Sequence, residues 1–261
     1  MADLTNLQMA FIGAGVTFFA TWFGALPAIF IKTISEKTKD LFLGISAGVM
    51  LAATAFSLIE PSVMLLNKSY SLILSAAFSG VMILLGGYLI HMGNEYIPHI
   101  HFLGSGEKVK ADKTKLKQIW LFVLAITIHN IPEGFAVGTA IGSGEISISL
   151  PVLIGIAFQD IPEGLVVAIA LRSLGYSTKD SFLVAGVTGL VEAVSALAGF
   201  FAVFTIQVLL PWTLAFAGGM MLYVISHEMI PESHKNGFAK QATAGLMIGF
   251  VIMMMLDIAL K

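Results

Sequence analysis

The chain divides into eight apolar runs of membrane-crossing length, at 7–31, 41–66, 71–95, 117–141, 149–172, 179–205, 208–230 and 237–260. About 20 apolar residues span a bilayer core. A segment in lipid must satisfy its own backbone hydrogen bonds, so runs of this kind are α-helices. The pattern predicts an all-α membrane protein: one eight-helix bundle, with residues 1–261 forming a single transmembrane domain. Charged residues make up 11% of the chain and hydrophobic ones 57%. A soluble domain carries about 25% charge, so no sizeable soluble unit is expected. No basic residue precedes the first run, which outlasts a signal-peptide core, so it reads as a retained span. One break is long, 96–116, with Lys108, Lys110, Lys113 and Lys115, and Lys117 just after it, beside Gly104 and Gly106; it reads as a flexible connector.

Basic residues orient the bundle, because Lys and Arg collect in cytoplasmic loops. The odd-numbered loops hold 12 of them: Lys32, Lys37, Lys39, Lys108, Lys110, Lys113, Lys115, Lys117, Arg172, Lys179, Lys235 and Lys240. The opposite side has 2, Lys68 and Lys261. The odd loops, including 96–116, therefore face the cytoplasm, and both termini face outward. A net charge of −2 carries no argument for nucleic acid, and none is expected as a partner.

One short phrase occurs twice. His129-Asn130-Ile131-Pro132-Glu133-Gly134 on the fourth run returns as Gln159-Asp160-Ile161-Pro162-Glu163-Gly164 on the fifth. Between 128–141 and 158–171, six of fourteen positions match. The two runs cross the membrane in opposite directions, which implies inverted repeats about an axis in the membrane plane. At 1.5 Å per residue, His129 lies about 18 Å from the cytoplasmic end of its span and Asp160 about 15 Å from the outer end of its own. His129 and Glu133, four apart, share a helix face with Asn130 beside them, and Gln159, Asp160 and Glu163 repeat that geometry. Glu192 on the sixth run and Met50 on the second reach a similar depth. The expected site therefore sits at the bilayer midplane between the second, fourth, fifth and sixth helices.

Charge then narrows its chemistry. Glu133, Asp160, Glu163 and Glu192 have no deep Lys or Arg to balance them, and an unpaired ion is very costly in hydrocarbon. Protons or metal ions must compensate. A proton relay has no need of the amide oxygens of Asn130 and Gln159 or a thioether. His, carboxylate and amide together make a mixed N/O shell suited to a first-row divalent ion or a near relative. Two acid-bearing copies suggest two ions bridged by Glu133 and Glu163. Without cysteine, thiolate ligands are excluded. Pro132 and Pro162 are expected to open their helices by removing a donor. Gly134, Gly138 and Gly142, like Gly44 and Gly48, form smooth ridges that let a partner helix approach closely.

Other polar residues leave two readings open. His227 and Glu228 near the cytoplasmic end of the seventh run are either interfacial or a secondary metal relay. His99 and His101 are either plain loop or a transient metal pair. His91 and Glu95 suit a solvated helix end. Glu60 and Asp257 suit an outer interface or a cation-gathering role. His227-Glu228 with His234 does not match the zincin spacing.

The paired motifs strongly resemble the fourth- and fifth-span signatures of the ZIP (Zrt/Irt-like) divalent metal transporters, most closely the bacterial GufA-like branch. The resemblance covers nearly the whole chain. It implies a transporter domain in a prokaryotic inner (plasma) membrane, taking zinc or a related dication (cadmium, iron or manganese) into the cytoplasm. The metal is the transported substrate; no organic cofactor is expected, and no enzyme activity. Residue by residue, the implied metal site falls on Met50, His129, Asn130, Glu133, Gln159, Asp160, Glu163 and Glu192, with a binuclear centre sharing Glu133 and Glu163. His99, His101, His227 and Glu228 match positions on the release path. Many members have a second His where this chain has Gln159, which implies a more oxygen-rich site here. The family also implies a homodimer, with the lipid bilayer as the other partner. The rival from another class is an intramembrane metallohydrolase, which would also gather His and acids around a metal with an open position for water.

Overall fold

The computed structural model describes residues 5–31, 33–96 and 113–260, and every regular element among them is helical. Helix α1 (Asn6–Gly24) opens with a capping box: the Gln8 amide donates to Thr5 Oγ1 at 3.3 Å, and Gln8 Oε1 accepts from the Thr5 amide at 2.8 Å. Helix α2 (Glu36–Ala52), capped by Ser35, passes through a π-helical stretch, Ala53–Ile59, into α3 (Glu60–Leu66). Next come α4 (Leu72–Tyr96), α5 (Lys113–Gly142), α6 (Ile146–Ser173) and α7 (Thr178–Thr205). Helix α8 (Leu210–Val224) passes through a second π turn, Ile225–Met229, into α9 (Ile230–His234), and α10 (Ala239–Leu260) ends the bundle.

Seven segments among the described residues are long and apolar enough to cross a membrane: Asn6–Ile29, Glu36–Leu66, Leu72–Gly93, Ile146–Ser173, Thr178–Thr205, Gln207–His234 and Ala239–Leu260. The 30-residue α5, which carries the first motif copy, lies between the third and fourth of these. It begins at Lys113, so Lys113, Lys115 and Lys117 belong to a helix and not to the connector. His99, His101, Lys108 and Lys110 lie outside the described residues.

Helices α1, α5, α6 and α7 pack mainly on one another, as do α2 with α10 and α4 with α8. The first set meets the other two where α5 touches α8 and α6 touches α2. Glycine makes the closest approaches possible. A Cβ at Gly134 would strike the Glu192 carbonyl, and one at Gly138 the Ala196 carbonyl, both on α7. One at Gly44 or Gly48 would strike α10 at Ala242 or Leu246. Both expected ridges therefore have their partner helices. The outer faces are apolar: Leu72, Ile73, Leu84 and Tyr88 of α4 are exposed, as a lipid-facing surface requires.

The backbone departs from α-geometry where the sequence reading did not look. Helices α5 and α6 continue unbroken through Pro132 and Pro162. The wide turns lie instead ahead of Pro61 and Pro231, where the Glu60 amide bonds the Ala55 carbonyl and the Ile230 amide the Ile225 carbonyl, both five residues back. The burial pattern explains them. Met50, Thr54, Leu58, Ser62 and Leu66 are all buried at four-residue intervals. In an uninterrupted α-helix such a row drifts by about 40° per step; a π turn takes up the surplus and keeps the row on one face.

At one end of the bundle, Asp40 is fully buried and accepts from Asn236 Nδ2 at 2.7 Å and from the Phe238 amide at 3.4 Å. It fastens α2 to the turn before α10, where Gly237 takes a φ of 89°. Asp40→Ala strands both donors, and an unmade buried hydrogen bond costs about 1–3 kcal/mol. The expected result is a lower midpoint of thermal unfolding in detergent. An unchanged midpoint would remove this fastening from the account.

Candidate functional site

The two motif copies sit on α5 and α6, which are joined by residues 143–145 and pack on each other as an antiparallel pair. Their helical spacing turns the polar residues inward: His129, Asn130, Glu133, Gln159, Asp160 and Glu163 are all buried, with Glu192 of α7 and Met50 of α2. Ile131 and Ile161, between them in sequence, are exposed on the outer faces. One residue's difference in register thus separates a site wall from a lipid-facing wall.

Carboxylate oxygens of Glu133, Asp160 and Glu192 lie within 4.8 Å of one another. No Lys or Arg occurs between 118 and 171 or between 180 and 234, so no permanently charged base of α5's inner length, of α6 before Arg172 or of α7 beyond Lys179 can balance them. Gln159 Nε2 donates to Glu133 Oε1 at 2.7 Å, which crosses from one copy to the other. Asn130 Nδ2 donates to the Thr188 carbonyl at 3.0 Å, leaving the amide oxygen turned the other way. Thr21 Oγ1 lies 3.3 Å from Glu192 Oε2. Glu163 interacts electrostatically with His129, and Glu133 with both Glu163 and Glu192.

The unmet hydrogen-bonding capacity has a pattern. Asn130 Oδ1, Glu133 Oε2, Gln159 Oε1, Asp160 Oδ2, Glu163 Oε1 and Glu192 Oε1 are buried without a hydrogen-bond partner among the described residues. His129 Nδ1 is in the same state, and buried polar atoms are normally satisfied. Six oxygens that can only accept, beside one imidazole nitrogen that becomes a ligand when deprotonated, fit a cation. Oxygen ligands with one imidazole nitrogen suit divalent ions of intermediate hardness.

Met50 is fully buried in the main apolar cluster with Ala47, Ile156 and Met221. His129 Nε2 lies 2.5 Å from Glu228 Oε2, a contact across 99 residues of chain that ties α5 to the π turn after α8. Glu228 is thus a direct partner of a motif residue, and its neighbour His227 is not: His227 is exposed, its ring 5.0 Å from Tyr223. His91 at the same end bonds Tyr223 through its ring nitrogen at 3.2 Å. Asp257 is buried and accepts from Ser57 Oγ at 2.5 Å, inside the first π segment.

Hydroxyl residues also surround the acids, with little in the sequence to mark them. Thr21 reaches Glu192, Ser46 Oγ approaches the Gln159 carbonyl at 3.5 Å, and Ser195 Oγ donates to the Ile131 carbonyl at 2.6 Å. Their signal was weak, because hydroxyls in apolar helices commonly bond their own backbone a turn earlier, as Thr21 also does with Thr17 at 3.2 Å.

The family model described as "ZIP Zinc transporter" matches residues 103–257. The zinc transporter GufA of Myxococcus xanthus is 45% identical over 242 residues, covering 92% of this chain and 94% of that protein. The zinc transporter ZIPB of Bordetella bronchiseptica is 41% identical over 256 residues, covering 98% and 82%. The human zinc transporter ZIP11 is 29% identical, with 98% of each chain covered.

Proposed function

The chain belongs to the ZIP family of zinc transporters, and from that premise we propose that it carries zinc, and related dications less selectively, into the cytoplasm through the buried acid cluster. Membership makes it a membrane metal transporter and not an enzyme, so the metallohydrolase reading is set aside. The observation that carries the proposal is the approach of Glu133, Asp160 and Glu192 to within 4.8 Å on helices with no Lys or Arg between 118 and 171 or between 180 and 234. Three buried carboxylates at that separation repel strongly unless protons or a metal ion sit among them.

In this reading α5 is the eighth span, completing the bundle, and the two motif copies are inverted repeats meeting at the bilayer midplane. Two ions fit the donor set. Glu133 and Glu163 are shared, and Met50, His129, Asn130, Gln159, Asp160 and Glu192 supply the other ligands. Glu228, held against His129, is the first acceptor toward the cytoplasm, followed by His227 and the loop histidines His99 and His101. Both termini lie outside, in the plasma membrane of a prokaryote, and the protein works as a homodimer.

Each step follows from this chemistry. An arriving ion exchanges water for the buried oxygens and displaces any protons they hold, since ligands bind metal in deprotonated form. An inside-negative potential favours inward movement by about 2.3 kcal/mol per charge per 100 mV. A dication gains roughly twice that, enough to drive uptake without ATP. Movement of the α1–α5–α6–α7 group against the other helices then exposes the site inward.

Purified protein in vesicles tests this directly. Zinc, and cadmium in competition, should enter vesicles containing the wild-type chain and not empty ones. Protons and metal compete for the same oxygens, so metal affinity should weaken from neutral to mildly acidic pH. An affinity flat across that range would defeat the charge argument, and vesicles that admit no metal would defeat the transport reading.

A further inference from the structure

Helix α1 contributes no acid to the cluster, yet it is built like the helix that does. Phe11-Ile12-Gly13-Ala14-Gly15-Val16-Thr17 matches Phe182-Leu183-Val184-Ala185-Gly186-Val187-Thr188 of α7 at five of seven positions. The bonding repeats with it: Thr17 Oγ1 donates to the Ala14 carbonyl at 3.3 Å, and Thr188 Oγ1 to the Ala185 carbonyl at 2.8 Å. The same offset lays Thr21 on Glu192 and Gly24 on Ser195.

Packing obeys this correspondence. Gly134 of the first motif lies against the Glu192 carbonyl, and Gly164 of the second against the Thr21 carbonyl. Ser195 Oγ bonds the Ile131 carbonyl, and Gly24 lies against the Ile161 carbonyl. Helix α1 therefore holds the second motif as α7 holds the first. At the position where α7 bears a carboxylate, α1 bears a hydroxyl, and that hydroxyl faces the carboxylate at 3.3 Å.

We propose that Thr21 is a positioning residue of the transport site: its hydroxyl holds Glu192 Oε2 and leaves Oε1 for the ion shared with Glu133 and Asp160. The inference rests on the transport reading above and adds α1 to the working parts. A threonine serving only its own helix would be content with the Thr17 carbonyl. Here the single hydroxyl proton has two acceptors, one neutral and one an acid, and the bond to an ionised carboxylate is the stronger. An ion drawing on Oε1 meets a carboxylate already oriented.

The test compares Thr21→Val, which keeps the shape and removes the hydroxyl, with Thr21→Ser, which keeps the hydroxyl. Two readouts are used: zinc uptake by vesicles, and calorimetric titration of the detergent-purified protein with cadmium. Loss of a hydrogen bond to a charged group corresponds to roughly tenfold in affinity. Thr21→Val should raise the zinc KM and weaken cadmium binding by about tenfold, with the maximal rate changed by less than about twofold, and Thr21→Ser should match wild type. Should Thr21→Val not yield folded protein, Thr21→Ala, which adds no bulk, replaces it with the same expectations. Wild-type behaviour of the Val or Ala variant overturns the proposal. So does equal impairment of the Ser and Val variants, which would mean that packing shape matters and the hydroxyl does not. A fall in maximal rate at unchanged KM and unchanged cadmium affinity overturns it as well. Wild-type vesicles that take up no zinc sink the transport reading instead, and the cadmium titration still judges Thr21.

Discussion

Glu163→Ala is expected to abolish the zinc uptake into vesicles proposed for the wild-type chain. Glu163 is buried, carries an oxygen without a hydrogen-bond partner among the described residues, and interacts electrostatically with His129 of the other motif copy. In the two-ion reading it is shared, so its loss removes a ligand and a negative charge from both positions at once. Removing a group that merely supports a metal ligand lowers affinity about 10–100-fold; loss of a shared carboxylate should exceed that range. His129→Ala should also stop uptake by a second route. It removes the one nitrogen donor and leaves Glu228 without the imidazole now 2.5 Å away. Initial rates of zinc entry into vesicles measure both. Uptake within about twofold of wild type in either variant would dismantle the site as drawn, given the 10–100-fold scale of even indirect effects.

The second large effect belongs to a residue with no chemistry. Gly138→Ala should both destabilise the protein and stop transport. A methyl at Gly138 would collide with the Ala196 carbonyl and come within 2.7 Å of the Phe200 amide nitrogen, so α5 must move off α7. Overpacking of a tight core costs typically about 1–3 kcal/mol, and backbone atoms of a neighbouring helix cannot rotate away as a side chain can. The displacement would also carry Glu133 from Glu192, whose carbonyl touches Gly134 one turn earlier. Gly80→Ala is the matched control: it adds the same methyl on α4 where nothing lies within 4 Å, and alanine is the better helix former by about 0.5–1 kcal/mol. Thermal unfolding in detergent and zinc uptake, read side by side, should separate the two variants. Equal behaviour would mean that the ridge on α5 does not set the spacing of the site.

Much of this protein is written locally. A run of apolar residues near 20 long declares a span whatever surrounds it, because the cost of lipid exposure is summed residue by residue. The doubled Ile-Pro-Glu-Gly and the absence of deep Lys or Arg are likewise local facts, and they were enough to raise a buried cation site and the family. The glycine ridges were legible for the same reason, since spacing along one helix defines a face. Which partner meets that face is a different kind of information. The contact of His129 with Glu228 joins residues 99 apart, and the approach of Thr21 to Glu192 joins residues 171 apart; neither has a signature along the chain. The prolines mark the limit most clearly. Pro132 and Pro162 looked like the places where helices would open, yet α5 and α6 run through them, and the wide turns stand ahead of Pro61 and Pro231. A proline removes a donor wherever it stands; whether the helix widens there depends on which rows of side chains must stay against their neighbours, and that was decided only when the helices packed.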